Sequence, residues 1–163
     1  MKKVIIAFIA LVLSGNVSAQ KIGHVYVDSV LTQLPQREAA QKELERYTME
    51  LQKEMENMVT MYREKAARFE KESKSLPEEI RQSRYKELME TEQNIQQFQV
   101  NAQQKVETKE EELLNPLLTK VQNAINKVCK DNNYNYVINS SYMLYVNGGN
   151  DLTPLVMKEL GIK

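Results

Sequence analysis

Few side chains in this sequence could do covalent or metal chemistry, and their surroundings argue against it. His24 is the single histidine. It stands in KIGHVYVD without a cysteine or a pair of carboxylates at ligand spacing, so it reads as a structural histidine on a strand. Cys129 is the single cysteine, which excludes an intrachain disulfide and leaves a buried, unreactive thiol as the expectation. No serine sits in a strand–turn–helix elbow, and no glycine-rich loop leads a strand into a helix, so Gly148-Gly149 reads as a turn. The acid-rich run 107–112 fits a solvated helix face. Tyr134, Tyr136, Tyr142 and Tyr145 fit a sheet that buries their rings and wets their hydroxyls. The expectation is a chain that is not an enzyme and uses no cofactor or metal.

The chemistry that remains is apolar binding. Of eight methionines, five lie in residues 36–130: Met49, Met55, Met58, Met61 and Met89. A thioether on a flexible chain repacks against many apolar shapes, which suits a surface that holds varied partners. Met55 and Met58 fall on an apolar stripe and are assigned to packing. Met49, Met61 and Met89 fall beside it or off it and are the candidate cargo contacts.

These residues need long helices to position them. Residues 36–130 contain no glycine and are dominated by Glu, Lys, Gln, Arg, Leu, Met and Ala, the strong helix formers. Leu44, Tyr47, Leu51, Met55, Met58, Tyr62, Ala66 and Phe69 recur at spacings of three and four, on one side of a helix. The repeat sums to eleven residues, which makes the stripe nearly straight or slightly right-handed in its supercoil. Near residues 73–78, Pro77 breaks the pattern, and Ser75 with Glu78 fits a capping box opening a second helix. A second stripe runs through Tyr85, Leu88, Ile95, Gln99, Ala102, Val106, Leu113, Leu117, Val121, Ile125 and Val128. Two antiparallel arms of roughly 60 Å and roughly 80 Å follow from the helical rise.

Strand chemistry flanks the helices. Residues 21–28 read as one strand, with Val25 and Val27 on one face and Ile22, His24 and Tyr26 on the other. Residues 134–139 and 142–147 read as a β-hairpin around Ser140-Ser141, and Asp151 caps a last helix that Gly161 ends. The organisation expected is a leader at 1–19, a β body at 20–35 and 131–163 with a C-terminal helix, and a helical hairpin arm at 36–130 with its tip at 73–78. The fold class is α+β.

The leader has two lysines, an apolar run of about ten residues and small residues before Ala19, the pattern of a secretory signal and too short for a bilayer span. Removing Lys2 and Lys3 leaves 20 basic and 22 acidic side chains. A balance so near neutral, without a basic stripe, argues against nucleic-acid binding. Three strands and a short helix make a core marginal in size. Covering strand edges with neighbouring copies supplies the rest. Val25, Val27, Tyr136, Ile138, Leu144 and Val146 are the candidate oligomerisation residues on those strands.

The order of these parts, opening with KIGHVYVDSVLTQLP and closing with VQNAINKVCKDNNYNYVINSSYMLYVNGGNDLTPLVMKEL, resembles the Skp/OmpH family of periplasmic chaperones. The resemblance covers the whole chain after the leader and is most specific at its two ends. It implies a soluble periplasmic homotrimer whose β body completes a barrel by trimerisation. Helical hairpins project from it like tentacles and hold unfolded outer-membrane β-barrel proteins without ATP. The sequence departs from the strongly basic members of that family, since residues 36–130 carry 17 basic and 18 acidic side chains. It leaves lipopolysaccharide and membrane-surface binding open. The alternative reading is a structural or adaptor coiled-coil protein of the envelope that binds one specific partner.

Overall fold

In the computed structural model, residues 20–162 are described; the expected leader, 1–19, lies outside them. The elements in chain order are β1 (Ile22–Val25), α1 (Val27–Thr32), α2 (Pro35–Glu72), α3 (Glu78–Asp131), β2 (Tyr136–Asn139), a 3₁₀ turn (Ser140–Tyr142), β3 (Asn150–Asp151) and α4 (Thr153–Glu159). The protein is mostly helical, with two long helices and a sheet of three short strands. The described residues divide into two compact units: Leu31–Gln122, and 20–30 together with 123–162.

The first unit is an antiparallel hairpin. α2 starts at Pro35, preceded by Leu34 in the extended conformation that a following proline imposes. Along α2 the buried and half-buried positions include Ala40, Leu44 and Tyr47, then Leu51, Met55 and Met58, then Tyr62, Ala66 and Phe69. Each triplet repeats the last after eleven residues, or 3.67 residues per turn, so the seam keeps its direction over the length of the helix.

On α3 the facing seam runs through Leu88, Thr91, Ile95, Phe98, Ala102, Val106 and Leu113 to Leu117. Phe98 takes the place expected for Gln99, because a spacing of three after Ile95 buries a ring and leaves the amide in water. Tyr85, also expected on the stripe, is exposed, although its ring still meets Phe69 at 6.5 Å between centroids.

Cross-hairpin contacts hold one register. Arg84 Nη1 bonds Glu72 Oε2 and Lys65 Nζ bonds Glu87 Oε1, both at 2.6 Å. Lys109 lies 3.7 Å from Glu43 and 5.8 Å from the centre of the Tyr47 ring. At the turn, Ser75 does not cap the second helix. Its Oγ donates to Glu72 O at 2.8 Å, and α3 begins three residues later with Arg81 N donating to Pro77 O. Ser75 therefore serves the end of α2, whose last carbonyls lack helical donors. α3 continues through Pro116 to Asp131.

In the second unit, β1 is the central strand and both neighbours run parallel to it, in the order β2-β1-β3. The expected antiparallel hairpin at 142–147 is absent. Asn139 Oδ1 accepts from Ser141 N at 3.1 Å and Met143 N donates to Ser140 O, turning the chain into the 3₁₀ turn. This is the local competition by Asn and Ser side chains that β propensity alone misses. Residues 150–151 then occupy the second edge of β1. The first strand is also shorter than expected, because Val27 opens α1, whose Val30 N donates to Tyr26 O at 3.1 Å.

The core of this unit includes Val25, Val30, Ala124, Ile125, Val128, Leu152 and Val156. β3 and α4 are tied to β1 by Leu152 N donating to His24 O at 2.8 Å and Tyr26 N donating to Thr153 Oγ1 at 3.0 Å. Asp151 Oδ1 accepts from Thr153 N at 2.8 Å, at the start of α4. Gly161, at φ 72°, ends it, with Ile162 N donating to Met157 O and Gly161 N to Lys158 O. That is a Schellman cap. The end of α3 uses the same device with Asn133 at φ 57°, where Tyr134 N donates to Cys129 O.

Candidate functional site

Because each long helix spends its apolar stripe on the other, a binding surface of the hairpin must be built from side chains off that seam. Met49 and Met61 are 61% and 58% exposed and Met89 is 41% exposed, whereas Met55 and Met58 are half-buried in the seam. Ile80, Tyr85 and Val100 are exposed as well. The helical scaffold thus presents thioethers, one ring and two aliphatic groups to solvent, separated by charged and amide side chains. Such a surface offers scattered apolar footholds and no single deep pocket. The clefts on the hairpin are shallow: one of about 490 Å³ is lined by polar side chains including Asn101, Gln104 and Lys109 beside Tyr47, and one of about 290 Å³, lined by Ala40, Leu44, Leu113 and Leu114 among others, opens along the seam.

The charges on the hairpin are held mostly at its surface. The Lys65 ammonium, hydrogen-bonded to Glu87, holds that carboxyl below its usual range, and Arg46 does the same for Glu43 with help from Lys109. The near-neutral total also hides a local imbalance. Residues 60–86 carry eight basic and five acidic side chains, leaving the remainder of the hairpin acidic. A count over the whole arm missed this; a count confined to residues 60–86 finds it.

In the sheet unit, the candidate oligomerisation residues separate into two groups. Tyr136 and Ile138 are exposed on β2, and the register opposite Ile22 and His24 puts them on one face with exposed Ile22. Val25 lies on the opposite face and is fully buried within its own unit, so it has no surface to offer a neighbour. Val27 is half-buried in α1. Leu144 and Val146 belong to no strand; Leu144 is fully exposed and Val146 half-buried. Tyr142 and Tyr145, which β propensity assigned to sheet packing, are instead exposed beside Leu144. The result is an apolar surface built from Ile22, Tyr136 and Ile138 and continued in sequence by Tyr142, Leu144 and Tyr145.

His24 is nearly buried, with its ring edge-on to Tyr26 at 5.9 Å. Cys129 is partly buried, and burial pushes its thiol pKa up, which suppresses the thiolate that reactive cysteines need. Ser140 Oγ is the one buried side-chain polar atom without a hydrogen-bond partner among the described residues. Among those residues no helix is long and apolar enough to cross a membrane.

Comparison with known proteins agrees with this architecture. The family model described as outer membrane protein (OmpH-like) matches residues 21–160. Chaperone protein Skp of Pectobacterium atrosepticum is 29% identical over 160 residues, covering 94% of this chain and 95% of that protein. The protein of the same name from Photorhabdus laumondii is 29% identical over 164 residues, covering 98% and 99%. That of Yersinia enterocolitica is 24% identical over 152 residues, covering 93% of each. A solved OmpH-like protein from Caulobacter crescentus superposes with a TM-score of 0.74 at 13% identity, over 88% of this chain and 85% of its own, which shows the shared fold.

Proposed function

This chain belongs to the OmpH-like family, a family of chaperones and not of enzymes, and from that premise we propose that it is an ATP-independent holdase of the periplasm for unfolded outer-membrane proteins. Residues 1–19 direct export. Residues 20–35 and 131–163 form the body through which three copies associate and complete a barrel, and residues 36–130 form the arm. The observation that carries the reading is the exposure of Met49, Met61 and Met89 on a hairpin whose seam is already filled. Apolar groups that packing does not require remain free to meet cargo.

Holding by this surface is the sum of many weak contacts. A non-native β-barrel strand exposes every second side chain as an apolar group, and each thioether can cover part of one. Each contact removes a small apolar area from water, at about 25 cal/mol per Å². No one contact is strong enough to trap the client, so release needs no nucleotide. Exposed Tyr136 and Ile138 supply the contact between copies, in keeping with the small core of the sheet unit.

The test is light scattering of a urea-diluted outer-membrane β-barrel protein, with and without the purified chain after leader removal, with its mass measured in the same buffer. Suppressed scattering by a trimer without nucleotide is the expected result. A folded trimer that leaves scattering unchanged for several clients overturns the reading and favours an adaptor that binds one specific partner.

A further inference from the structure

The methionines of the hairpin fall into two classes, and the division has a chemical consequence. Met49, Met61 and Met89 are exposed and off the seam, while Met55 and Met58 are half-buried within it. We infer that Met49, Met61 and Met89 are a reversible oxidation site, at which conversion to methionine sulfoxide switches off holding while leaving the hairpin folded. The inference rests on the holdase reading and adds regulation to the same surface.

Thioether sulfur reacts directly with two-electron oxidants such as hypochlorous acid, and access governs which sulfur reacts first. In that step the oxygen atom passes from hypochlorous acid to the methionine sulfur, a sulfur–oxygen bond forms and the oxygen–chlorine bond breaks. Sulfur loses two electrons, chlorine leaves as chloride, and a proton is released. A sulfoxide reductase with a dithiol as reductant reverses it, taking the oxygen off as water and leaving a disulfide. Oxidation turns a flexible apolar group into a polar one, the property that cargo contact relies on.

The same change in the seam would break interhelical packing and unfold the hairpin. Oxidation confined to the exposed three alters the surface alone. Cys129 competes poorly for the oxidant, since it is partly buried and its thiolate is disfavoured.

The experiment treats the full-length mature chain with increasing hypochlorous acid, maps the added oxygen by peptide mass spectrometry, and reads helicity by circular dichroism and holding by client scattering. Expected are oxygen at positions 49, 61 and 89 before 55 and 58, unchanged helicity, and an at least threefold rise in the chain concentration needed for half-suppression. Treatment with sulfoxide reductases restores holding. The triple variant M49L/M61L/M89L has no thioether at these positions, so its half-suppression concentration, whatever its untreated value, does not rise with oxidant, while M49Q/M61Q/M89Q mimics the loss without oxidant.

Full holding by the chain oxidised at those three positions overturns the inference, as does equal oxidant sensitivity of the leucine variant. Loss of helicity in step with loss of holding overturns it too, since damage to the seam would then be the cause. Failure of the untreated chain to hold clients strikes the holdase reading instead.

Discussion

Replacing Gly23 with alanine should destabilise the sheet unit by about 1–2 kcal/mol, although the backbone at this position permits any residue. Gly23 is not among the glycines with positive φ, so the substitution carries no conformational strain and gains about 0.5 kcal/mol from a stiffer unfolded chain. The cost lies in packing. A β-carbon there would stand 2.7 Å from Leu152 Cδ1, 3.0 Å from Leu152 Cγ and 3.3 Å from the Asn150 carbonyl oxygen. Leu152 is 1% exposed, so it can give way only by shifting within the core, and overpacking of a filled core typically costs ~1–3 kcal/mol.

Leu152→Ala alone should cost about 3 kcal/mol for the lost contacts and the cavity. It also removes the two nearest of the three atoms that the new methyl would meet, leaving the Asn150 carbonyl oxygen. The double variant G23A/L152A should therefore be nearly as stable as L152A, a coupling of ~1–2 kcal/mol between residues in contact. Urea unfolding followed by circular dichroism, at one fixed chain concentration because the proposed association of copies would contribute to stability, measures all four corners of the cycle. Additive effects of the two substitutions would refute the argument that Gly23 is required by Leu152.

Three other perturbations test separate parts of the protein. The Glu87 carboxyl is held below its reference value of 4.5 by Lys65, so the stability it contributes is present above that pH and is lost as the pH falls through the lower folded value. The thermal midpoint should accordingly fall as the pH drops below about 4.5, less so in E87Q and in high salt, by circular dichroism at 222 nm. Y136S/I138S should lower the mass in sedimentation to that of a monomer while leaving helicity intact; an unchanged mass would remove β2 from the contact between copies. Gly161→Ala forces an alanine to φ 72° at the end of α4 and should cost about 1 kcal/mol in urea unfolding, with little change if the cap carries no load.

The long helices were legible because their signal is repeated many times. Eight stripe positions in α2 and a glycine-free run of residues leave the helical period no competitor, and both helices lie where residue type placed them. Pro77 marked the turn for the same reason, since one missing donor ends a helix whatever surrounds it. The sheet was harder to read because its pairing is decided elsewhere. Tyr142, Leu144 and Val146 have the alternation of a strand, yet Asn139 and Ser140 turn the chain just before them, and both edges of β1 are already taken. The parallel sense of both pairings follows from where the chain re-enters, which no local pattern records. Exposure divided the surface more finely than periodicity could. It separated Met49, Met61 and Met89 from the seam, as their position suggested, but buried Val25 and freed Leu144 against the alternation rule.

The central position of β1 has a consequence for how this protein reaches its fold. Its hydrogen-bonding partners begin 114 residues later, where Ile22 meets Tyr136, so the first strand made waits unpaired until nearly the whole chain exists. Closing a loop of that length by diffusion would be slow. The hairpin shortens the search, because α2 and α3 zip through contacts that start at their turn, and its own ends meet where Arg37 and Ala40 line the same cleft as Leu113 and Leu114. Two long helices that zip first would carry the distant strands toward each other before any sheet forms. Slowing the zipper, by weakening the Phe69–Tyr85 and Lys65–Glu87 contacts at the turn, would prolong the life of an exposed strand.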